Sequence, residues 1–577
     1  MPPTSPRSGD KGVSSNNRIP RRPLALFPEA LAAALWRLFA GWRRWLRRTW
    51  LYRRLLKGAL ADRIAFHPYD ALPRRLEDAD ALLRGRFRFH GEMVEAKDGS
   101  IFDQKPPSRA WAEALNGFAW LPPLSAAGGE PARTLASNLL TQWLKRNQRY
   151  AEPAWLPQII ARRLIHLFAH GRFVLANSDM LWRSKVFVSL REQSRMLARS
   201  AGEAPDGLPR LEAAAALALS GACLGDSPKR LLAGLARLEI EIARQILPDG
   251  GHVSRSPEAL VDAYRHVVMV SDALVAIGHE VPHALRSAQD RMAPMIRFFR
   301  HGDGALALFN GGGESDPRMV AGLLARDEVR GQPFTHARHS AYQRLAAGRA
   351  LALMDCGGVP PGAFSIAAHA GCLAFEFSSG AQRIVVNCGA GPREWESALR
   401  ATAAHSTVTL ADTSMAAFLT EGWMRSVLGA RLLAGPEEIE TQRGESQRGV
   451  TATASHDGYL RGFGIRHERE LTLSPQGLAL TGADRLLPRR AGAALPFAVR
   501  FHIHPDVRVS RVESGDVILK LANGEGWRFR AGVPIAIEES VYLGGETVRR
   551  AEQIVLSGLV KDAPLETAWI FEQIGAG

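Results

Sequence analysis

The run His369-Ala370-Gly371-Cys372-Leu373-Ala374-Phe375-Glu376-Phe377 places apolar side chains at 373, 375 and 377, with Ala374 and Glu376 between them. A period of two is that of a β-strand with one face in a core. The pattern recurs downstream, where Val499, Phe501 and Ile503 alternate with Arg500, His502 and His504. Turn residues such as Gly357-Gly358 and Asn523-Gly524 break the chain at short intervals. From about Ala337 onward these signals predict a large antiparallel β-sandwich.

Upstream the period changes. Between about Ala61 and Arg326 Ala, Leu and Arg recur at helical spacing, with Leu231, Leu235, Leu238, Ile242 and Ile246 on one face and an Ala-rich run from Leu211 to Leu224. Many helices of similar length joined by short loops predict a bundle or toroid. The expectation is a multidomain α+β chain: residues 1–60 a basic leader and amphipathic helix, 61–330 a helical toroid, and 331–577 the sandwich. The junction falls around Asp327 to Thr335.

The 577 residues exceed what one core organises, and 46% hydrophobic against 23% charged residues excludes a disordered or collagen-like chain. Four cysteines without a CxxC pair exclude zinc fingers and a disulfide scaffold, leaving buried free thiols. The net charge of +15 is concentrated at one end. Residues 1–60 hold 13 Lys and Arg against Asp10 and Glu29, a net +11 that leaves +4 for the rest. A nucleic-acid partner is therefore not expected.

Residues 1–23 read as a disordered leader. Across residues 31–57, Leu31, Leu35, Leu38, Trp42, Trp45, Leu46 and Thr49 share one side of a helix, while Arg37, Arg43, Arg44, Arg47, Arg48 and Arg54 spread over the other. Such a helix either adsorbs to an anionic membrane surface or packs on its own protein with arginine facing solvent. No apolar run is long enough to span a membrane, and no secretory leader is recognisable.

Several constellations could carry chemistry. Leu247-Pro248-Asp249-Gly250-Gly251-His252-Val253-Ser254-Arg255-Ser256-Pro257 follows a helix and puts His252, Arg255 and Ser256 on a loop, where Arg255 could hold a carboxylate with two donors. His301-Gly302-Asp303-Gly304 precedes Phe309-Asn310-Gly311-Gly312-Gly313-Glu314, in which the glycines allow close backbone approach but form no phosphate loop. His369, Asn387 and His405 could meet on adjacent strands and hold a divalent metal, zinc or calcium, although no cofactor is required. His456 with His467, and His502 with His504, are further imidazole pairs.

Taken together, the helical half, the Pro-Asp-Gly-Gly-His loop, the His-Ala-Gly-Cys-Leu-Ala-Phe-Glu run and the Ala-Ala-His-Ser-Thr segment ending at Thr407 resemble the heparinase II/III family of polysaccharide lyases. The likeness runs from about Trp111 to the C-terminus and is most specific from Tyr342 to His405. It implies an (α/α) toroid followed by a β-sandwich, with an acidic polysaccharide in the cleft and cleavage by β-elimination. That reaction needs a group neutralising the uronate carboxylate, a base for the C5 proton and an acid for the leaving oxygen.

By resemblance His252 contacts the carboxylate, His405 belongs to the sandwich site, and His369 is the second His of a His-x-His-x-Asp run. The first His of that run stands here as Ala367, its Asp as Gly371, and a further Asp as Asn387. No tyrosine lies near Phe309, which leaves Tyr264 and Tyr342 as candidates to move protons. Arg255, Ser256, Asn310 and Arg400 are the candidate substrate contacts. The leading expectation is a lyase acting on a uronate-containing polysaccharide in the cell envelope or periplasm, with the cytoplasm as alternative. Its rival is an envelope-associated, non-catalytic glycan-binding protein that has lost the base. A glycoside hydrolase would need two opposed carboxylates, for which Glu258 and Glu314 are the visible pair.

Overall fold

The structure is a computed structural model that describes residues 26–575 apart from 59, 60, 62, 73–75, 97, 98, 177, 327–331, 393 and 546. The leader at 1–23 and part of the expected junction lie outside the described residues.

The helical half is layered around Leu208–Leu224, whose residues from Leu211 to Leu224 are all buried. Three helices surround it: Pro157–Leu175, Pro228–Gln245 and Pro257–Ala276. The Ala-rich composition makes this possible, because small side chains let neighbouring backbones touch. A Cβ on Gly221 would lie 2.5 Å from the Leu231 nitrogen, and one on Gly234 would lie 2.3 Å from the Ala218 nitrogen. The outer helix Pro228–Gln245 buries Leu231, Leu235, Leu238 and Ile242 as its spacing predicts, together with Arg230, Gly234, Glu241 and Gln245. Proline in the first turn of all three surrounding helices sets their starts. The helical half also contains a small hairpin, Arg86–Phe89 with Glu92–Glu95, that helical periodicity did not anticipate.

The C-terminal half is two packed antiparallel sheets. One runs Ile439–Ser446, Gly449–His456, Ile465–Leu473, Ala479–Pro488, Leu565–Gln573, Gly526–Ala531, Val517–Lys520, Arg508–Arg511. The other runs Ile535–Tyr542, Arg549–Val560, Leu495–Ile503, Gln382–Val386, Phe375–Ser379, Ala350–Asp355, Tyr342–Ala347, His336–Ala337, with Val408–Leu410 also pairing to Leu495–Ile503. Phe375 stacks on Trp569 at 5.5 Å and Phe377 meets Trp527 edge-on at 5.2 Å, so the predicted apolar face does line the space between the sheets.

The other face of Phe375–Ser379 is not solvated. Glu376 and Ser378 are buried against the helical half, where His301 bonds Ser378 Oγ at 2.8 Å and Glu376 at 3.0 Å. Glu376 also accepts from the Leu308 amide at 3.0 Å. The alternation therefore marks a strand that is dry on one side and polar on the other, with the polar side forming the seam between the two halves. The four cysteines are free and buried, but Cys356, Cys372 and Cys388 flank strands rather than lie within them.

Leu31, Leu35, Leu38, Trp42 and Trp45 of the amino-terminal helix are exposed, so the expected apolar face does not pack on the protein. The helix divides into Phe27–Arg47 and Trp50–Arg54. Several of its arginines find protein partners at its edges: Arg37, itself exposed, donates to the carbonyls of Ser426 and Val427, while Arg43 and the buried Arg47 converge on Glu203. Its apolar side chains face out, with Leu38 72% and Trp45 60% exposed. Among the described residues no helix is long and apolar enough to cross a membrane.

Candidate functional site: the seam between toroid and sandwich

The Pro248-Asp249-Gly250-Gly251 turn clasps the sandwich. Asp249 accepts from the amides of His339 and Ser340, at 2.8 and 2.7 Å, and from Ser340 Oγ at 2.8 Å. Glycine is needed twice: a Cβ on Gly250 would meet the Arg291 carbonyl at 2.0 Å, and one on Gly251 would meet Ser340 Oγ at 1.9 Å. The turn aims His252 into the seam, where the ring packs edge-on against Phe364 at 6.2 Å.

His252 is only 3% exposed, and both ring nitrogens are occupied. Nδ1 accepts from the Ser254 hydroxyl at 2.7 Å and the Ser254 amide at 3.2 Å, and Nε2 donates to Gln245 Oε1 at 3.1 Å. Gln245 is oriented by its own amide donating to the Gly207 carbonyl and Glu241. Burial pulls the imidazole down to about 4, so it is neutral near pH 7. The expectation that His252 presents a donor to a substrate carboxylate is corrected: it closes a hydrogen-bond ring inside the protein.

Arg255 is likewise spent. Its guanidinium donates to the carbonyls of Ser340 at 3.0 Å, Gly358 at 3.0 Å and Ala341 at 3.3 Å, pairs with Asp355, and lies 4.8 Å over the Tyr342 ring. It is a tie between the halves rather than a substrate clamp. Ser256 caps the helix Pro257–Ala276 by accepting from the Ala259 amide. Tyr342 is fully buried, donates to the Arg255 carbonyl at 2.6 Å, and has its phenol pushed well above the ordinary value by burial. Tyr264 lies in the toroid core. Neither tyrosine is placed to exchange protons with a substrate. Arg400 donates to the carbonyls of Ala368 at 2.9 Å and Ser365 at 3.1 Å, fixing the loop that carries His369 instead of a ligand.

Asn310 links these groups. Its amide donates to Tyr342 Oη at 2.9 Å and Asp355 at 3.2 Å, and its carbonyl oxygen accepts from the His369 backbone at 3.4 Å. The structure brings His369 and His405 together, Nδ1 to Nε2 at 3.0 Å. The proton positions follow from the partners. The Ala401 carbonyl, 2.9 Å from His405 Nδ1, can only accept, so His405 carries its proton there and its Nε2 accepts from His369 Nδ1–H. His369 Nε2 is left as the lone-pair nitrogen, on a half-buried ring. His405 is 2% exposed and burial pulls it down to about 4; burial, then the neighbouring imidazole, hold His369 well below its ordinary value.

Gly371, where the resemblance implies an acid, lies against this pair. A Cβ there would lie 2.8 Å from the His405 ring, so no side chain fits at 371 unless that ring moves. Asn387 does not complete a metal site: its oxygen accepts from the Ser406 amide at 3.1 Å and its nitrogen donates to Glu376 at 3.2 Å. Two imidazoles bonded to each other and an engaged amide, with no third His, Cys, Asp or Glu grouped with them among the described residues, do not fit zinc or calcium. No group of three or more His, Cys, Asp or Glu side chains among the described residues could hold a metal.

Glu258 and Glu314 flank the glycine segment at 311–313 without facing each other as an opposed pair: one holds that segment and the other is held by the sandwich. Glu258 accepts from the Gly313 amide at 3.0 Å; Glu314 is bonded by Tyr542 and drawn down to about 2, chiefly by His504. His456 and His467 lie apart from the seam in a buried chain to Asp484, and His502 is occupied by Ser540 and the Ala403 carbonyl. Sequence reasoning missed Asp249, Asp355 and Glu376 as the carboxylates that organise the seam. For Asp355 a signal existed, an acid at a strand end directly before the Cys356-Gly357-Gly358 turn.

The family model "Heparinase II/III-like, C-terminal" matches residues 329–570. FtsZ-localized protein C of Caulobacter vibrioides is 33% identical over 512 residues, 86% of this chain and 88% of that protein. The chain belongs to the heparinase II/III family. The crystal structure of heparinase III superposes with a TM-score of 0.68 at 13% identity, over 87% of this chain and 85% of that one. Heparan sulfate lyase HepC from Pedobacter heparinus gives 0.56 at 16% identity, over 90% and 87%. Those two likenesses establish the toroid-and-sandwich fold of the heparinase II/III family for this chain, and at their level of identity only the fold.

Proposed function

We propose that this chain is a non-cleaving member of the heparinase II/III family, attached to an anionic membrane surface by its amino-terminal helix and, like its Caulobacter relative, localised with FtsZ. The observation that carries the loss of cleavage is the occupancy of the seam. His252, Arg255 and Arg400 are consumed by internal partners, and Ala367 stands where the family's catalytic imidazole is expected. The outward apolar face of Phe27–Arg47, with arginines along its edges, supports attachment: burying Trp and Leu at the headgroup boundary is favourable, and anionic lipid attracts the arginines.

The test is co-localisation in cells. A fluorescent fusion of the full chain is expected in FtsZ-dependent bands at the membrane, and a version lacking residues 26–57 is expected to disperse. A fusion that ignores FtsZ depletion contradicts the proposal.

A second reading, β-elimination of an acidic, uronate-containing polysaccharide, is favoured by one observation: His369 Nε2 is a neutral acceptor on a half-buried ring, backed by His405. It predicts unsaturated products that vanish in His369→Gln.

A further inference from the structure

Where the amino-terminal helix meets the toroid, a cavity of about 390 Å³ lies between residues 47–56, the segment 148–155 and the helix Met180–Ser200. Its lining is unusual for a gap between packed elements. Arg48 and Arg149 are exposed and make no ion pair among the described residues. The Tyr150 hydroxyl is buried beside the Arg47 guanidinium, which can only donate to it, so the hydroxyl proton has no acceptor among the described residues. The remaining arginine, Arg47, is already paired with Glu203, and Glu192 is the acid of the lining. Trp155 forms part of the apolar wall, and Trp50 belongs both to the lining and to the exposed apolar set, at 64% exposure.

Two unpaired guanidinium groups and an orphaned hydroxyl donor around one hollow, next to apolar side chains left in solvent, describe a receptor for a small oxyanion carried on an apolar body. We infer that this cavity binds a phosphate ester, with Arg48 and Arg149 on the phosphate oxygens and Tyr150 donating a further hydrogen bond. The source that fits the surroundings is the headgroup of an anionic phospholipid, because Trp50 and Trp45 would then sit at the level of the acyl boundary. This deepens the membrane reading above and rests on it for the lipid source, though not for the phosphate chemistry.

The full-length protein is sedimented with phosphatidylcholine vesicles made equally anionic either with phosphatidylglycerol or with oleate, which carries a carboxylate in place of phosphate. Separately it is titrated with glycerol 3-phosphate while tryptophan fluorescence is followed. The inference expects preference for phosphatidylglycerol over oleate at matched surface charge. It also expects that preference to disappear in Tyr150→Phe, which changes no charge, and Arg48→Gln/Arg149→Gln to weaken phosphatidylglycerol binding roughly thirtyfold, the effect of two arginines at an anionic surface. The control Arg88→Gln/Arg511→Gln, on exposed arginines elsewhere, loses the same charge and should bind as the parent does.

A fluorescence response to glycerol 3-phosphate that Tyr150→Phe weakens would also support the site; matching the vesicle affinity, it would point to a free phosphate ester as the source. Equal binding to both vesicle types, with no response to glycerol 3-phosphate, overturns the inference while leaving membrane attachment intact. Absence of vesicle binding with a retained glycerol 3-phosphate response defeats the membrane reading and keeps the site. Unchanged thermal unfolding of each variant shows that its fold is intact.

Discussion

The seam and the amino-terminal helix use the same residue types in opposite ways. In the seam, most arginines, histidines and acids are buried and bonded within the protein, as with Arg255 on Asp355 and His252 on Gln245, His369 Nε2 being the nitrogen left over. On the helix Arg37, Arg43 and Arg47 again find partners in the protein, yet Trp42, Trp45 and Leu38 are left in water at a free-energy cost that nothing within the fold recovers. Satisfied polar groups hold a structure together, whereas exposed apolar ones ask for a partner. The comparison moves the centre of interaction from the family's cleft to the helix.

The sharpest way to break this comparison is to open the seam. Asp355→Ala leaves Arg255 buried without its counter-charge and is expected to cost about 3–5 kcal/mol of stability, measured by denaturant unfolding. A loss below about 1 kcal/mol would mean that the seam is wet and open.

Next in size is acid. Burial holds His405 at about 4 against an ordinary 6.5, so the neutral ring is the form the fold requires. The stability it contributes is complete above about pH 6.5 and is lost as pH falls toward about 4, ~3 kcal/mol at most for the one group. Unfolding free energies across that window should fall more steeply for the parent than for His405→Gln. Equal slopes would place the ring in solvent.

On the helix, Leu38→Ala with Trp42→Ala should reduce affinity for anionic vesicles by about a hundredfold, from the apolar area withdrawn from the interface, with stability nearly unchanged. A drop in melting temperature with no change in vesicle binding would show that this face packs on protein instead. The smallest effect concerns Gly371, where alanine must push the His405 ring aside and should cost ~1–2 kcal/mol by calorimetry. A neutral result would show that the ring has room to move.

Much of the fold could be read from periodicity. The Leu231-to-Ile246 face and the Phe375/Phe377 alternation both landed where spacing put them, because burial on one face is a local property of sequence. The site was legible only as far as its membership. His252, Arg255, Asn310, His369 and His405 do gather at the seam, but whether a donor faces a ligand or a carbonyl of its own chain depends on residues far away in sequence. Arg255 is answered by Ser340, Asp355 and Gly358, and Arg400 by Ser365 and Ala368. The orientation of the amino-terminal helix was hidden for the same reason, since Glu203 and the carbonyls of Ser426 and Val427 that capture its arginines lie more than 150 residues on.

The account stands on a closed, non-cleaving seam, and its most direct test follows the ultraviolet absorbance of unsaturated uronate during incubation with a panel of acidic polysaccharides. No new absorbance is predicted for the parent protein with any member of the panel. Absorbance that grows with the parent and is abolished in His369→Gln would contradict it.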